Sequence, residues 1–200
     1  MTGAKSTEPG PRKSGLAGLE AAARGVGKAR GPAPVHLWNP PYCGDIGLRI
    51  GADGCWSYRG SVIRRQALVE LFASVLRKDE DGRHYLVTPV EKIAIEVEDA
   101  PFLAVAMHRE GKGRDQRLTF RTNVNDELSA DAEHPLRFDR ESGTDGLKPY
   151  VLVRGRLEAR LTRALAYDLV AAAGQEGDRF GVWSGGVFFP IAAADEVFSD

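Results

Sequence analysis

Residues 58–87 read YRGSVIRRQALVELFASVLRKDEDGRHYLV, and this stretch decides the predicted fold. It has the pattern of a strand, a tight turn at Arg59-Gly60, an amphipathic helix, a second turn at Asp81-Gly82 and a closing strand. Ser61 is a residue type that caps helices. The predicted buried stripe consists of Ile63, Ala67, Leu68, Leu71, Phe72, Val75 and Leu76. A stripe of this width predicts that the helix covers a sheet.

A weaker copy of the pattern follows about 95 residues later. The offset aligns Arg59-Gly60 with Arg154-Gly155, and it aligns Phe72 with Tyr167. The second helix is predicted from the stripe Leu157, Leu161, Ala164, Leu165, Leu169 and Ala172. Self-similarity at one offset indicates an internal duplication, whereas chance matching of short Gly and Arg motifs is the alternative.

The repeat predicts an α+β fold of two related units, each an antiparallel sheet packed with one amphipathic helix. We expect residues 35–98 to form the first unit and residues 99–200 the second. Strands are predicted at 46–50, 55–58, 83–88 and 92–97, and then at 102–108, 116–122, 136–138, 150–154, 180–183 and 187–191. Residues 123–133 are polar, and we expect them to be irregular.

Composition narrows the classes of protein. The chain has 200 residues, 42% of them hydrophobic and 28% charged, with a net charge of −1. These values are typical of a soluble globular protein, and the near-neutral charge argues against a nucleic-acid partner. The sequence holds no apolar run long enough for a bilayer and no secretory signal pattern, so we expect no membrane association and a cytoplasmic location.

Residues 1–34 are predicted to be a mobile basic tail. They contain six basic and two acidic side chains, a charge of +4, and no aromatic residue. Such a segment buries too little surface to offset its ordering entropy, although residues 16–24 have the composition of a short helix. Contact of the tail with nucleic acid or anionic lipid is the alternative to a solvated terminus.

Residues 35–45, VHLWNPPYCGD, lead into the folded region. The two prolines favour an extended path, and Trp38 and Tyr42 supply large apolar surfaces. We interpret the segment as a packing strap, with one wall of a ligand cleft as the alternative.

Catalytic and metal-binding motifs are missing from the sequence. The histidines His36, His84, His108 and His134 stand singly, and the cysteines Cys43 and Cys55 do not form a C-x-x-C pair. We therefore predict no metal site and no cofactor, and we expect both thiols to be reduced. Cys43 as a nucleophile is the alternative to a buried, inert thiol.

The densest group of charges comprises Glu91-Lys92, Arg64-Arg65 and Glu98-Asp99. Lys92 and Arg64 are donors of the kind that carboxylate and phosphate ligands need. A surface ion pair between Arg65 and Glu91 is the structural alternative.

Several motifs together resemble the bacterial DUF1285 family. They are WNPP at 38–41, CGD at 43–45, Asp53-Gly54 with Trp56, YLVTPVEK at 85–92 and VEDAPF at 97–102, and the likeness covers about residues 35–192. The resemblance implies two related α+β units, no established activity and a regulatory or signal-transduction role. It supplies no catalytic residue, and the matched positions Asp45, Glu91, Lys92 and Asp99 are candidates. Gly47 departs from the acidic residue that the resemblance leads us to expect there, which weakens a carboxylate pair with Asp45.

We therefore expect a regulatory module that binds a small anionic molecule or a protein partner in a cleft between the units. An enzyme that acts on an anionic metabolite, with Lys92 and a carboxylate as its polar pair, is the alternative. A nucleic-acid contact through the tail and Arg64-Arg65 is the third hypothesis. The candidate ligand-binding residues are Trp38, Asp45, Arg64, Arg65, Glu91, Lys92 and Asp99.

Overall fold

The computed structural model describes residues 15–26, 31–141 and 146–195. The chain packs as two compact units. Unit 1 takes the described residues of Met1–Arg49 and Trp56–Glu96, and unit 2 takes those of Ile50–Cys55 and Val97–Asp200. The fold is α+β, and it contains two similar six-stranded sheets, each with a helix, as the repeat predicts. Within these residues no helix has the length and hydrophobicity needed to cross a membrane.

Unit 1 consists of one sheet and two helices. Its elements are α1 (Leu16–Val26), a 3-10 turn (Val35–Leu37), β1 (Tyr42–Ile50), β2 (Trp56–Tyr58), β3 (Ser61–Val62), α2 (Gln66–Ser74), β4 (Leu76–Lys78), β5 (His84–Val87) and β6 (Lys92–Val97). The strand order is β3-β2-β1-β6-β5-β4. The helix α1 lies inside the predicted mobile tail and buries Leu19 and Ala23, so that expectation does not hold for residues 16–26. Residues 1–14 and 27–30 of the predicted tail lie outside the described residues.

The helix α2 is shorter than the apolar stripe predicts. Arg59 and Gly60 both have positive φ values, 49° and 80°, and their turn returns the chain as a hairpin, so Ser61 lies in β3 and caps no helix. The helix starts after Arg65, whose backbone is extended. It ends at Ser74, and Leu76 pairs with Leu86 in the sheet. Over a run as short as Val75 and Leu76, buried apolar residues fit the period of a helix and that of a strand equally well. The pairing of β4 with β5 decides in favour of the strand.

Both faces of β5 are covered, and all four of its residues are buried. On one face Leu86 stands between its cross-strand partners Leu76 and Ile93. On the other face Tyr85, Val87 and Ala94 form a cluster against which Val35 and Trp38 pack. Residues 35–41, here called the strap, therefore pack against the sheet of unit 1.

Unit 2 contains a six-stranded and a three-stranded sheet. Its elements are β7 (Phe102–Glu110), a 3-10 turn (Gly113–Asp115), β8 (Arg117–Thr122), β9 (Glu127–Ser129), β10 (Leu136–Arg140), β11 (Leu147–Arg154), β12 (Leu157–Leu161), α3 (Arg163–Ala171), β13 (Gly174–Glu176), β14 (Arg179–Ser184) and β15 (Val187–Ala193). The sheet orders are β10-β11-β12-β7-β8-β9 and β13-β14-β15. The predicted helix is wrong before Arg163, because Leu157–Leu161 is a strand. Residues 123–133, which we expected to be irregular, include the strand β9.

Each six-stranded sheet has a parallel pair at its centre, which differs from the purely antiparallel sheets that we expected. In unit 2, β12 and β7 pair in parallel. At the first sheet's central pair, the Lys92 amide donates to Pro41 O and the Glu98 amide donates to Ile50 O, so β1 and β6 also run in the same direction. Each central pair joins two groups of three strands.

The predicted repeat is confirmed, and its offset changes along the copy. Along the chain, the order β1-β2-β3-α2-β4-β5-β6 matches β10-β11-β12-α3-β13-β14-β15. The first copy forms one sheet, whereas β10–β12 pair with β7–β9 and β13–β15 form a sheet of their own. The two nine-residue helices begin at Gln66 and Arg163, an offset of 97 (163 − 66). Phe72 therefore corresponds to Leu169, and both are 0% exposed. The alignment of Phe72 with Tyr167 is wrong, since Tyr167 is 63% exposed.

Candidate functional site

The structure places two of the seven predicted site residues in one polar cluster of unit 1. Trp38 and Lys92 belong to it, together with three residues that we did not predict. We call the set of Trp38, Arg77, Asp79, Tyr85 and Lys92 the Asp79 cluster. Asp79 follows β4, Lys92 begins β6, and Tyr85 lies between them in β5, which is why the pairing of these strands brings the three side chains together.

The Asp79 carboxylate receives two cations. Arg77 donates from Nε to Oδ1 at 2.5 Å and from Nη2 to Oδ2 at 3.2 Å, and Lys92 Nζ donates to Oδ2 at 3.2 Å. Burial alone would raise the pKa of Asp79. The hydrogen bonds and charges of Arg77 and Lys92 outweigh burial, so the pKa lies below its ordinary value. The carboxylate is therefore ionised at neutral pH.

Arg77 also fastens the strap. Its Nη1 donates to Val35 O at 2.7 Å and to Trp38 O at 2.8 Å. A planar guanidinium can bind a carboxylate and backbone carbonyls at the same time, which the ammonium of a lysine does not do in a fixed geometry. One side chain thus holds the turn Val35–Leu37 and Trp38 against β4.

Tyr85 forms the aromatic centre of the cluster. Lys92 Nζ lies 4.5 Å from its ring centroid, and the ring of Tyr42 stands perpendicular to it with centroids 6.2 Å apart. The Tyr85 hydroxyl donates to Asp81 Oδ2 at 2.6 Å. This hydrogen bond raises the pKa of Tyr85 and lowers that of Asp81, so the phenol stays neutral.

Three exposed apolar side chains lie close to residues of the Asp79 cluster, either in sequence or by ring contact. Leu37 in the strap is 72% exposed, Val90 in the turn after β5 is 66% exposed, and Tyr42 at the start of β1 is 48% exposed. The hydrogen bond from the Lys92 amide to Pro41 O joins the end of the strap to β6. We call Leu37, Tyr42 and Val90 the strap face. Large apolar groups exposed together are typical of surfaces that bind a partner.

Comparison with known proteins shows to which family this chain belongs. Residues 33–100 match "Domain of unknown function (DUF1285), N-terminal domain", and residues 101–191 match "Protein of unknown function (DUF1285), C-terminal domain". A crystal structure of a DUF1285 family protein from Silicibacter pomeroyi DSS-3 has 49% sequence identity and a TM-score of 0.83, and the match covers 90% of this chain and 97% of that one. The chain belongs to the DUF1285 family.

A second DUF1285 structure, from Shewanella baltica OS155, is less similar. It has 28% identity and a TM-score of 0.50, and the match covers 63% of this chain and 91% of that one. A search of curated proteins gave no match. The comparisons therefore establish the family and the two-domain fold of this DUF1285 chain.

Asp45 and Glu91 have local structural contacts. Asp45 is exposed within β1, and its Oδ1 accepts the amide of Gly47, which has a φ of 86° in the same strand, at 2.6 Å. Glu91 is buried, and its backbone exchanges hydrogen bonds with Thr88 in the turn between β5 and β6. Asp45 therefore lies in β1 of unit 1, and Glu91 lies in the turn between β5 and β6.

Arg64 and Arg65 precede α2. The Arg65 guanidinium donates to Glu20 Oε1 at 2.6 Å and so joins α1 to the start of α2. The pair of Arg65 with Glu91 that we considered is wrong. Arg64 is exposed, and it lies before the helix rather than within its first turn.

Asp99 belongs to a separate network in unit 2. Its carboxylate accepts the Tyr150 hydroxyl at 2.7 Å and Arg160 Nη1 at 2.8 Å. Arg160 Nη2 donates to Ala52 O, and Glu98 Oε2 accepts the Ala52 amide at 2.6 Å. Burial and the Asp99 hydrogen bond raise the pKa of Tyr150. This Asp99 network anchors the hairpin Ile50–Cys55, and Asp99 belongs to unit 2 whereas Lys92 belongs to unit 1.

Two buried nitrogens of unit 1 have no hydrogen-bond partner within the described part of the chain, Trp56 Nε1 and His84 Nε2. Burial, with a smaller contribution from Lys78, lowers the pKa of His84 to about 4. The imidazole is therefore neutral at pH 7. The same described residues contain no group of three or more His, Cys, Asp or Glu side chains arranged to hold a metal ion.

Sequence reasoning missed Arg77 and Asp79. The helical reading of residues 63–76 placed Arg77 on the solvated side of a helix and Asp79 in a turn. A strand over 76–78 would have put Arg77 on the face opposite Leu76, beside Tyr85, which is its cross-strand partner.

Proposed function

We propose that this DUF1285 chain is a non-catalytic regulatory module and that the strap face of unit 1 binds a protein partner. One observation carries the proposal: Leu37, Tyr42 and Val90 are exposed close to residues of a polar cluster whose cations already have partners. A protein surface supplies apolar side chains that can cover this face, whereas a small anion needs an available cation.

The contacts that Lys92 already makes argue against an enzyme that uses Lys92 to bind an anionic metabolite. Its ammonium contacts Asp79 and the ring of Tyr85, and the side chain is 21% exposed. An anionic substrate would have to displace the Asp79 carboxylate and bring a further negative charge to it. Coulomb repulsion between the substrate's negative charge and the Asp79 carboxylate, once the two are in contact, costs several kcal/mol at an effective dielectric constant of about 20.

The strap face also has the energetic features of a contact surface. Full burial of an aliphatic side chain contributes about 1.5–3 kcal/mol, so Leu37 and Val90 together supply a substantial part of a micromolar affinity. Tyrosine is among the residue types that dominate binding energies. Tyr42 is held edge-on against Tyr85, which reduces the entropy that it loses on binding.

We place this activity in the cytoplasm. Cys43 and Cys55 are both free thiols, which is the usual state in a reducing compartment. Cys55 is exposed, and its hydrogen bond with Asp53, together with burial, raises the pKa of the thiol, so it is a weak nucleophile at neutral pH.

The test compares two matched surface variants. The double variant L37S/V90S removes two strap-face side chains, and V62S removes an apolar side chain of unit 1 that is 57% exposed in β3. Proteins retained by the tagged full chain are identified by mass spectrometry, purified and titrated by calorimetry. We expect a saturable complex that L37S/V90S weakens at least tenfold and V62S leaves unchanged. Equal affinity of both variants for every purified partner contradicts the proposal.

A further inference from the structure

The helix α1 is held to unit 1 by few buried side chains. Two of its eleven residues are buried, Leu19 and Ala23, whereas four of the nine residues of α2 are buried. Leu19 and Ala23 are four positions apart, so they form one narrow apolar stripe on the side of α1 that packs against the rest of the unit. The apolar contact that holds α1 therefore consists mainly of one leucine and one alanine.

The sequence of α1 also favours a helix only weakly. It contains Gly18 in its interior and Gly25 in its last turn. A glycine in place of alanine lowers the stability of a helix about fivefold at each position. A methyl group added at Gly25 would point into open space, so packing does not require glycine there. Helices of about 12 residues or fewer are marginal in water, which means that α1 depends on its contact with the rest of the unit.

The helix α1 lies along one side of α2. The two helices are in contact, and Arg65, the residue before α2, donates from Nη2 to Glu20 Oε1 at 2.6 Å. Val69 and Ala73 follow Arg65 at four-residue spacing on the same side, and they are 7% and 2% exposed. We call Arg65, Val69 and Ala73 the α2 site. It combines an apolar surface with a cation at one end, and it shares no residue with the strap face.

We propose that α1 is a displaceable cover and that the α2 site binds an amphipathic helix of a partner protein in its place. The helix α1 shows what such a partner helix contains. It has an aliphatic residue like Leu19, a carboxylate at the next position for Arg65, and a small residue like Ala23 four positions after the first. A partner helix that contains no glycine competes well, because it loses less conformational entropy than α1 on binding. The stability of the docked α1 then sets the affinity for the partner.

The experiment uses a peptide with a stronger helix than α1 as the probe. The acetylated, fluorescently labelled peptide GLAALEAAARAV carries residues 15–26 with Gly18→Ala and Gly25→Ala. Its binding to the full chain is measured by fluorescence anisotropy. Leu19→Ala in the chain weakens the cover, so this variant should bind the peptide about tenfold more tightly than the wild type. Gly25→Ala in the chain stabilises the cover, so this variant should bind about threefold more weakly.

Charge reversal tests where the peptide binds. The wild-type chain should prefer the peptide with glutamate at position 20, and the Arg65→Glu chain should prefer a peptide that also carries Glu20→Arg, each by about fivefold. Arg64→Glu is the matched control, because Arg64 is exposed one position earlier. The Arg64→Glu chain should keep the preference of the wild type.

Four results overturn the inference. The first is the absence of binding to the Leu19→Ala chain at millimolar peptide. The second is the same affinity for the wild-type, Leu19→Ala and Gly25→Ala chains, which shows that the peptide does not compete with α1. The third is faster hydrogen exchange in β5 of the Leu19→Ala chain, which shows that α1 is part of the fold rather than a cover. The fourth is a dimer of the wild-type chain that the peptide dissociates, which shows that α1 of a second copy occupies the site.

Discussion

The two units differ in how completely their buried polar groups are hydrogen-bonded. In unit 2, Ser184 is fully buried, and its hydroxyl donates to Ala130 O at 2.6 Å while it accepts the Leu118 amide at 2.9 Å. Gln116, also buried, donates to Trp183 O at 2.8 Å. In unit 1, the described residues leave the nitrogens of Trp56 and His84 buried without a partner. Unit 2 gains stability from its buried polar groups, whereas unit 1 bears a desolvation cost.

The two carboxylate clusters are alike in their hydrogen bonds and differ in what they hold. Asp79 and Asp99 each accept an arginine and a second donor beside a tyrosine ring. The Asp99 network includes the buried Tyr150 and bonds to the backbone of the hairpin Ile50–Cys55. The Asp79 cluster holds a strap whose outer side exposes Leu37. Local departures from well-satisfied packing are expected where a protein has a functional surface. Both unpartnered nitrogens of the described residues belong to unit 1, where His84 lies on the face of β5 opposite to the strap.

The largest expected effect tests the buried histidine of unit 1. The pKa of His84 is about 4 in the folded chain against an ordinary value of 6.5, so the unfolded chain binds more protons between these values. Its contribution to stability is complete above pH 6.5 and declines as the pH falls toward 4. Unfolding in urea should show a loss of about 2 kcal/mol between pH 7 and 5.

The His84→Leu variant is the control for this pH dependence. It should lose most of the decline between pH 7 and 5, because leucine does not titrate. An equally steep decline in the variant would show that other groups cause the effect, and it would remove the contrast between the units.

The next effect tests the satisfied interior of unit 2. Ser184→Ala leaves the Leu118 amide and the Ala130 carbonyl without their shared partner, and we expect a loss of about 1.5 kcal/mol in the free energy of unfolding. Ser129→Ala is the matched control, since Ser129 is only partly buried and bonds to the hydroxyl of Thr119. We expect a loss below about 0.5 kcal/mol for the control. A Ser184→Ala variant as stable as the control would mean that water satisfies these groups.

The smallest effect is local and concerns the strap. Arg77→Met removes the hydrogen bonds to the carbonyls of Val35 and Trp38 and to Asp79. The Trp38 amide, which bonds to Val35 O, should exchange its hydrogen about tenfold faster, equal to about 1.4 kcal/mol. Arg83→Met, which changes an exposed side chain beside the Tyr85 ring, should leave this exchange unchanged. Faster exchange throughout unit 1 would show instead that Arg77 stabilises the whole unit.

Much of the fold followed from the sequence because the repeat contains strong local signals. The turn at Arg59-Gly60 and the two strands of the β7–β8 hairpin were predicted. Of the four buried residues of α2, Leu68 and Phe72 were predicted, whereas Val69 and Ala73 were not. The boundaries of the helices were not, since Val75 and Leu76 are apolar and suit either a helix or a strand. The offset of 97 between the helices exceeds the offset of 95 between the turns because residues 156–162 precede α3 where residues 61–65 precede α2, and β12 is longer than β3.

The candidate site was predicted only in part. Trp38 and Lys92 were found because aromatic and charged residues stand out in an apolar context. Arg77 and Asp79 were missed, because their role depends on the pairing of β4 with β5. Tyr150 and Arg160 reach Asp99 from positions more than 50 residues away, and a single sequence carries no signal for such a contact.

The most direct test of the proposed binding surface is hydrogen exchange of the full chain with and without a purified protein that it retains. We expect the partner to slow hydrogen exchange of the amides of residues 35–42 and 88–92 and to leave exchange in β8 and β14 nearly unchanged. Protection confined to unit 2, with the strap exchanging as in the free chain, would contradict the assignment of the strap face as the binding surface.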